Sequence, residues 1–102
     1  MNKVIETGKI LNIESFKTKK DNFAINLQLE SYSKYGDVIS CVAYGFLAES
    51  IIKKSVVGDE VILIGRLMSL QLRDSNHLTM KVVIEEIAKC IISSEELNKK
   101  NV

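Results

Sequence analysis

Residues 37–54 read DVISCVAYGFLAESIIKK, and the hydrophobic period changes within this stretch. In the first half, Ile39, Cys41 and Ala43 alternate with Val38, Ser40, Val42 and Tyr44, and this period of two predicts a half-buried strand. The second half repeats its apolar residues at helical spacing, which predicts a helix of about two to three turns. The strand face carries Ile39, Cys41 and Ala43, and the helix face carries Leu47, Ala48, Ile51 and Ile52. A strand therefore leads directly into a helix.

Two further strands are predicted before this stretch. Val4–Ile13 forms the first, with Gly8 inside it as a bulge or a close backbone approach. Phe16–Asn22 is a polar, basic turn, and Phe23–Leu29 alternates as a second strand. Ser31–Gly36 follows as a loop with two tyrosines.

Two more strands follow the helix. Glu60–Leu72 would extend for roughly 43 Å if it were straight, which is too long for so small a domain, so we expect it to bend at Gly65. Arg73–His77 is a short polar turn, and Leu78–Ile87 is the last strand. Residues 91–102 are read as a polar C-terminal tail.

Three strands, one helix and two strands is the element order of the OB-fold, a five-stranded Greek-key barrel of the all-β class. The helix lies between strands 3 and 4. Periodicity alone leaves an SH3-like barrel or a small α+β sheet open. The 102 residues are enough for one domain, which we assign to residues 1–90.

Composition excludes several classes of protein. Apolar runs such as Val61–Ile64 are far too short to span a bilayer, and the amino terminus lacks the apolar region of a signal peptide. Two cysteines are too few for a disulfide scaffold, and a single histidine argues against a zinc site. We therefore expect a cytoplasmic protein without a membrane segment.

Nothing in the sequence points to catalysis. His77 has no partner to orient it, and Glu85 and Glu86 alternate sides of a strand, so they do not form a carboxylate pair. The five glycines are isolated from one another, so there is no glycine-rich phosphate loop. We expect no enzyme activity, no cofactor and no metal.

The charge is nearly balanced, with 14 basic and 13 acidic residues. Any surface for nucleic acid must therefore be a local patch. Twelve of the basic residues are lysines, which offer mobile point charges rather than the rigid fork with which arginine reads bases. Such a protein would hold the backbone more than it would read sequence.

Three stretches resemble a known family in order and spacing: NKVIETGKI at residues 2–10, YGFLAE at residues 44–49, and VILIGRL at residues 61–67 with MKVVIEEI after the turn. Together they resemble the bacterial single-stranded DNA-binding protein family over roughly residues 2–90. The resemblance implies an OB-fold that forms dimers or tetramers and binds single-stranded DNA without sequence preference, in replication, recombination or repair. It also implies possible contacts with replication proteins.

The resemblance carries over to individual residues. The stacking aromatic at the end of the third strand falls on Tyr44, and the one in the loop after the second strand falls near Tyr32. The chain departs from the family's basic and aromatic face at Val38, Met68, Leu70 and Leu72. It also lacks the acidic, aromatic tip with which the family usually ends. It thus resembles a short, tailless form, as in the family's primosomal replication protein or in phage- and plasmid-encoded relatives.

Single-strand binding needs flat rings for bases and cations for phosphates. The ring candidates are Tyr32, Tyr35 and Tyr44, and the cation candidates are Lys17, Lys19, Lys20, Lys34, Arg66, Arg73 and Lys81. By parity Tyr44 faces outward, opposite the core residues of its strand. The alternatives are that Tyr44 packs against the helix, that Tyr32 is an ordinary loop residue, and that the lysines are a solvated charge run. Phe46 is predicted to plug the core.

We expect a homo-oligomer, first a homodimer and second a homotetramer. Both faces of Val61–Ile64 are apolar, whereas a closed barrel has only one inside, so the surplus needs a second surface. A competing hypothesis from another class is an OB-fold protein-interaction module of a replication assembly with weak or no nucleic-acid binding. Its contact surface would be the apolar residues Met68, Leu70 and Leu72.

Overall fold

In a computed structural model, residues 1–71 and 78–90 are described, and they form five strands and one helix. The elements are β1 Val4–Lys17, β2 Phe23–Ser31, β3 Val38–Tyr44, α1 Gly45–Lys54, β4 Glu60–Gln71 and β5 Leu78–Lys89. The predicted element order is confirmed, but β1 runs four residues beyond Ile13, so Phe16 and Lys17 belong to the strand. Leu72, the predicted turn that contains Arg73 and His77, and the predicted tail lie outside the described residues.

The strands close into a barrel in the order β1-β2-β3-β5-β4, and β1 pairs with β4 to complete the ring. All pairs are antiparallel except β3 with β5, which is parallel. This is the topology of an OB-fold with its helix between the third and fourth strands. Of the three architectures that periodicity left open, the OB-fold is confirmed.

The barrel interior is filled by the alternating apolar residues of the strands. The largest fully buried side chains include Ile10, Ile25, Leu27, Leu29 and Leu63. The predicted core face of β3 is also correct, since Cys41 and Ala43 are buried and Ile39 packs against the core. Val42 is the exception: it has outward parity but is only 2% exposed, and it lies in register between Asn26 and Val83. The outer face of β3 is therefore partly covered at its centre.

The predicted bend of β4 at Gly65 coincides with a shift in the β4–β5 register between Ile64 and Gly65. A Cβ atom at Gly65 would overlap the carbonyl oxygen of Val83, so only glycine fits here. Gly8 is a second close approach, to the carbonyl oxygen of Glu30. The irregularity in β1 itself lies further along, between Ile10 and Asn12.

The helix α1 begins at Gly45 and packs against β2 and β3 through Ala48 and Ile51, which are buried. It is ten residues long, and within the described part of the chain no helix is long and apolar enough to cross a membrane. Because α1 starts immediately after Tyr44, the end of β3 and the first turn of the helix form one continuous surface. That surface borders the turn between β1 and β2.

A short turn joins α1 to β4. The backbone N–H of Val56 donates to a side-chain oxygen of Asp59 at 3.0 Å, and Lys89 forms an ion pair with the same carboxylate at 3.2 Å. These contacts lower the pKa of Asp59, the Val56 hydrogen bond more than the lysine. The N–H of Gly58 also donates to the carbonyl of Ile10. The crossover is thus tied to β1 and fixes where β4 begins.

Candidate nucleic-acid interface

An open cleft of about 720 Å³ lies between the β1–β2 turn and the start of α1. It combines aromatic rings, two lysines and one carboxylate. Its lining residues are Thr18, Lys19, Lys20, Asn22, Phe23, Tyr44, Gly45, Phe46 and Glu49. Rings and ammonium groups side by side are the combination that single-stranded nucleic acid requires.

Tyr44 lies on the outer surface, as its parity predicts, and is 42% exposed. It pairs with Ala24 of β2, which in turn pairs with Phe16 of β1. Because adjacent strands are about 4.8 Å apart, the two ring-bearing positions are roughly 10 Å apart across the sheet. Ala24 is fully buried between them. Phe16 and Tyr44 therefore form an aromatic row at the edge of the cleft.

The prediction that Phe46 plugs the core is wrong, since the ring is 88% exposed. The core side of α1 is defined by Ala48 and Ile51. Phe46 precedes Ala48 by two residues, which is roughly 200° around the helix. The helical period could have revealed this, because Phe46 lies off the apolar stripe. An exposed ring of this size adds a second flat surface beside Tyr44.

The β1–β2 turn, which carries the cleft lysines, is closed by two hydrogen bonds between Thr18 and Asn22. The N–H of Thr18 donates to the carbonyl of Asn22, and the N–H of Asn22 donates to the side-chain oxygen of Thr18 at 3.1 Å. Asp21 has a φ of 63°, in the left-handed region that a tight turn uses. Lys19 and Lys20 are exposed on this closed turn and line the cleft. Lys17 is exposed at the end of β1 and pairs with Phe23.

A smaller polar groove of about 220 Å³ extends along the outer face of β1, β2 and β3. Its lining includes Asn12, Glu14, Asn26, Gln28, Ser40 and Lys81. The ammonium group of Lys81 donates to the side-chain oxygen of Asn26 at 3.0 Å. Arg66 lies on β4, the strand next to β5, and pairs with Val83 of β5. Two of the predicted cations thus share the outer face with Tyr44.

Of the predicted residues that the structure describes, Tyr32, Lys34 and Tyr35 lie at the other end of the barrel. Tyr32 follows β2 at the end away from Tyr44, roughly 26 Å along the strand. Its N–H donates to the carbonyl of Thr7, and partial burial together with the Glu60 carboxylate raises the pKa of its hydroxyl. In the adjoining loop the ammonium group of Lys34 lies 5.9 Å from the centre of the Tyr35 ring. The structure therefore groups Tyr44 with Lys19 and Lys20, and it groups Tyr35 with Lys34 separately.

The described residues offer little for metal or thiol chemistry. Within residues 1–71 and 78–90, no cluster of three or more histidine, cysteine or acidic side chains is placed to hold a metal ion. Cys41 is buried, and burial, with a smaller effect from Glu6, raises its pKa to about 12. A thiol in that state is a packing residue rather than a nucleophile.

The barrel, its helix and the aromatic cleft define an OB-fold protein with an open ligand surface at one end. No protein-family model and no curated protein sequence matches the chain. Solved structures do match. An SSB domain from Synechococcus sp. superimposes with a TM-score of 0.72 at 15% identity, covering 85% of this chain and 93% of that one.

Two further structures share the fold. The N-terminal domain of PriB from Thermoanaerobacter tencongensis, described as dimeric, has a TM-score of 0.70 at 22% identity, with coverage of 87% and 96%. A deletion mutant of the single-stranded DNA-binding protein from Thermus aquaticus has a TM-score of 0.74 at 19% identity. It covers 91% of this chain, which spans only 42% of that protein. At these identities the shared property is the OB-fold.

Proposed function

We propose that this protein binds single-stranded DNA without strong sequence preference, as a binding protein rather than an enzyme. The observation that carries the proposal is the cleft in which Tyr44 and Phe46 lie beside Lys19 and Lys20. Exposed rings stack on any base, and ammonium groups neutralise phosphates whatever the sequence. The fold shared with a single-stranded DNA-binding protein and an SSB domain supports this proposal.

The proposed path of the strand begins in the cleft and follows the outer face of the barrel. Stacking on Tyr44, Phe46 and Phe16 would fix the first bases. The backbone would then pass Lys81 towards the loop that holds Lys34 and Tyr35. The predicted contacts are Lys17, Lys19, Lys20, Lys34, Lys81 and Arg66 for phosphates, with Tyr32 and Tyr35 as further rings, and Arg73 beyond the described residues. We propose a role in replication, recombination or repair.

Binding should be sensitive to salt and tolerant of sequence. With on the order of three to five phosphate contacts, the slope of log K against log salt should be about −2 to −3.5. Each domain should occupy about 4–16 nucleotides. A titration of fluorescent oligo-dT at several salt concentrations, with a duplex of equal length as control, measures both. Tighter binding to the duplex would contradict the proposal.

We also propose that the protein forms a homodimer, with a homotetramer as the second possibility. Ile5, Ile62 and Ile64 lie on the outer face of β1 and β4, away from the cleft, and we call them the isoleucine face. Ile5 is 59% exposed and Ile62 is 38% exposed. Ile5 pairs directly with Ile64, so the apolar surface is continuous across the two strands. The dimeric PriB domain of the same fold supports a second copy as the partner.

The variant Ile62→Glu should convert the dimer into a monomer at micromolar concentration. An unpaired carboxylate buried between two copies costs several kcal/mol, so the dissociation constant should rise at least about a hundredfold. Light scattering gives the mass. The control is Val38→Glu, which should remain dimeric because Val38, at the start of β3, is 55% exposed and lies outside the isoleucine face. A wild-type monomer at the same concentration would contradict the proposal.

One observation favours the alternative of a protein-interaction module. The far ends of β4 and β5 carry exposed apolar side chains, among them Leu67, Leu70, Leu78 and Met80. Exposed apolar patches on small domains mark interaction surfaces. Under this alternative the partner would be another replication protein, and the oligo-dT titration would show no binding at low salt.

A further inference from the structure

We propose that Glu49 gives the cleft a preference for bases that carry an exocyclic amino group, so that oligo-dC binds more tightly than oligo-dT. This inference rests on the proposed single-stranded DNA binding and adds a base preference to it. It starts from the one acidic side chain that lines the cleft together with the rings and lysines.

The helix places Glu49 on the same side as Phe46. The two residues are three apart in α1, and residues at that spacing are neighbours on a helix surface. Both side chains are exposed and both line the cleft with Tyr44. A base stacked on either ring would therefore present its edge close to the Glu49 carboxylate.

The carboxylate remains available to such a base. Lys19 and Lys20 line the same cleft, but neither forms an ion pair with Glu49, and the only ion pair between described residues joins Lys89 and Asp59. No hydrogen bond from another described side chain reaches Glu49 either. Its oxygens can therefore accept hydrogen bonds from a ligand.

The chemistry of the base edges then decides the preference. An ionised carboxylate only accepts hydrogen bonds. Cytosine presents its N4 amino group as a donor, and acidic side chains pair with that group in protein–DNA complexes. Thymine presents a carbonyl oxygen at the same position, which would face the carboxylate without a proton between them. Both pyrimidines stack on the rings, so the difference in affinity between them comes from the contact with Glu49.

The test compares fluorescent oligo-dC and oligo-dT of equal length at pH 8 and one salt concentration. We expect wild-type protein to bind oligo-dC about fivefold to tenfold more tightly, towards the lower end of what a good base contact provides because the cleft is open. In Glu49→Gln the ratio should fall to about one, since an amide both donates and accepts. Glu85→Gln removes the same charge elsewhere on the surface and should leave the ratio unchanged.

The ratio separates base recognition from general electrostatics. Removing any carboxylate near the phosphates raises the affinity for both oligonucleotides by the same factor, and this leaves the ratio constant. Equal affinity of the wild type for the two oligonucleotides, or a ratio that Glu49→Gln does not change, would overturn this inference and leave the proposed function intact. Absence of binding to both would overturn the proposed function and this inference with it.

Discussion

The variant Tyr44→Leu should bind oligo-dT about 5 to 150 times more weakly than the wild type. This range corresponds to the loss of about 1–3 kcal/mol for one stacked ring. Leucine keeps apolar bulk at the end of β3 but removes the flat, polarisable face. Because Tyr44 is on the outer surface, circular dichroism and the oligomer size should stay unchanged. Fluorescence titration at moderate salt measures the loss.

The matched control is Lys17→Ala. It should lose less affinity at moderate salt, and it should reduce the salt slope by about 0.7, because it removes a phosphate contact and no ring. If Tyr44→Leu binds like the wild type, the stacking role of Tyr44 is wrong. If it unfolds, Tyr44 is a core residue.

Gly65→Ala should destabilise the barrel by about 3 kcal/mol, at the upper end of the usual cost of overpacking. The added Cβ would overlap the carbonyl oxygen of Val83 at the point where β4 and β5 shift register. The obstacle is backbone rather than a flexible side chain, so the two strands would have to separate. Urea denaturation of the two proteins gives the difference in the free energy of unfolding.

Gly36→Ala is the control for that experiment. Gly36 has a φ of 62° but nothing within 4 Å of an added Cβ, so alanine there should cost only about 1–2 kcal/mol of backbone strain. The two variants thus separate steric overlap from backbone conformation. If Gly65→Ala were as stable as the wild type, β4 and β5 could separate at the bend without cost, and the predicted destabilisation would be wrong.

The fold was predictable because each strand carries its own signal. Period-2 alternation in β2 and β3 places Leu27, Cys41 and their neighbours inside, and the structure confirms this inner face, although Ala24 and Val42 on the outward face are buried as well. The change of period after Tyr44 marks the helix, and the excessive length of β4 indicates its bend at Gly65. These are local patterns, which a single sequence can show.

The cleft was harder to predict because it is assembled from separate segments. Its lysines come from the β1–β2 turn and its rings from the junction of β3 and α1. The sequence predicts a core position for Phe46 because a large apolar ring is usually buried. Residue spacing also does not predict that Tyr32 lies beside Glu60, since that contact depends on how the loop meets β1 and β4. The positions of Phe46 and Tyr32 depend on the three-dimensional path of the chain rather than on residue spacing in the sequence.

We propose that single-stranded DNA binds in the cleft between the β1–β2 turn and the start of α1. Amide chemical-shift mapping on the 11.5 kDa protein, titrated with a short single-stranded oligonucleotide, tests it most directly. The largest shifts should fall on residues 17–23 and 44–49, with smaller ones around Lys81. Shifts confined to the isoleucine face, or none at all at low salt, would contradict it.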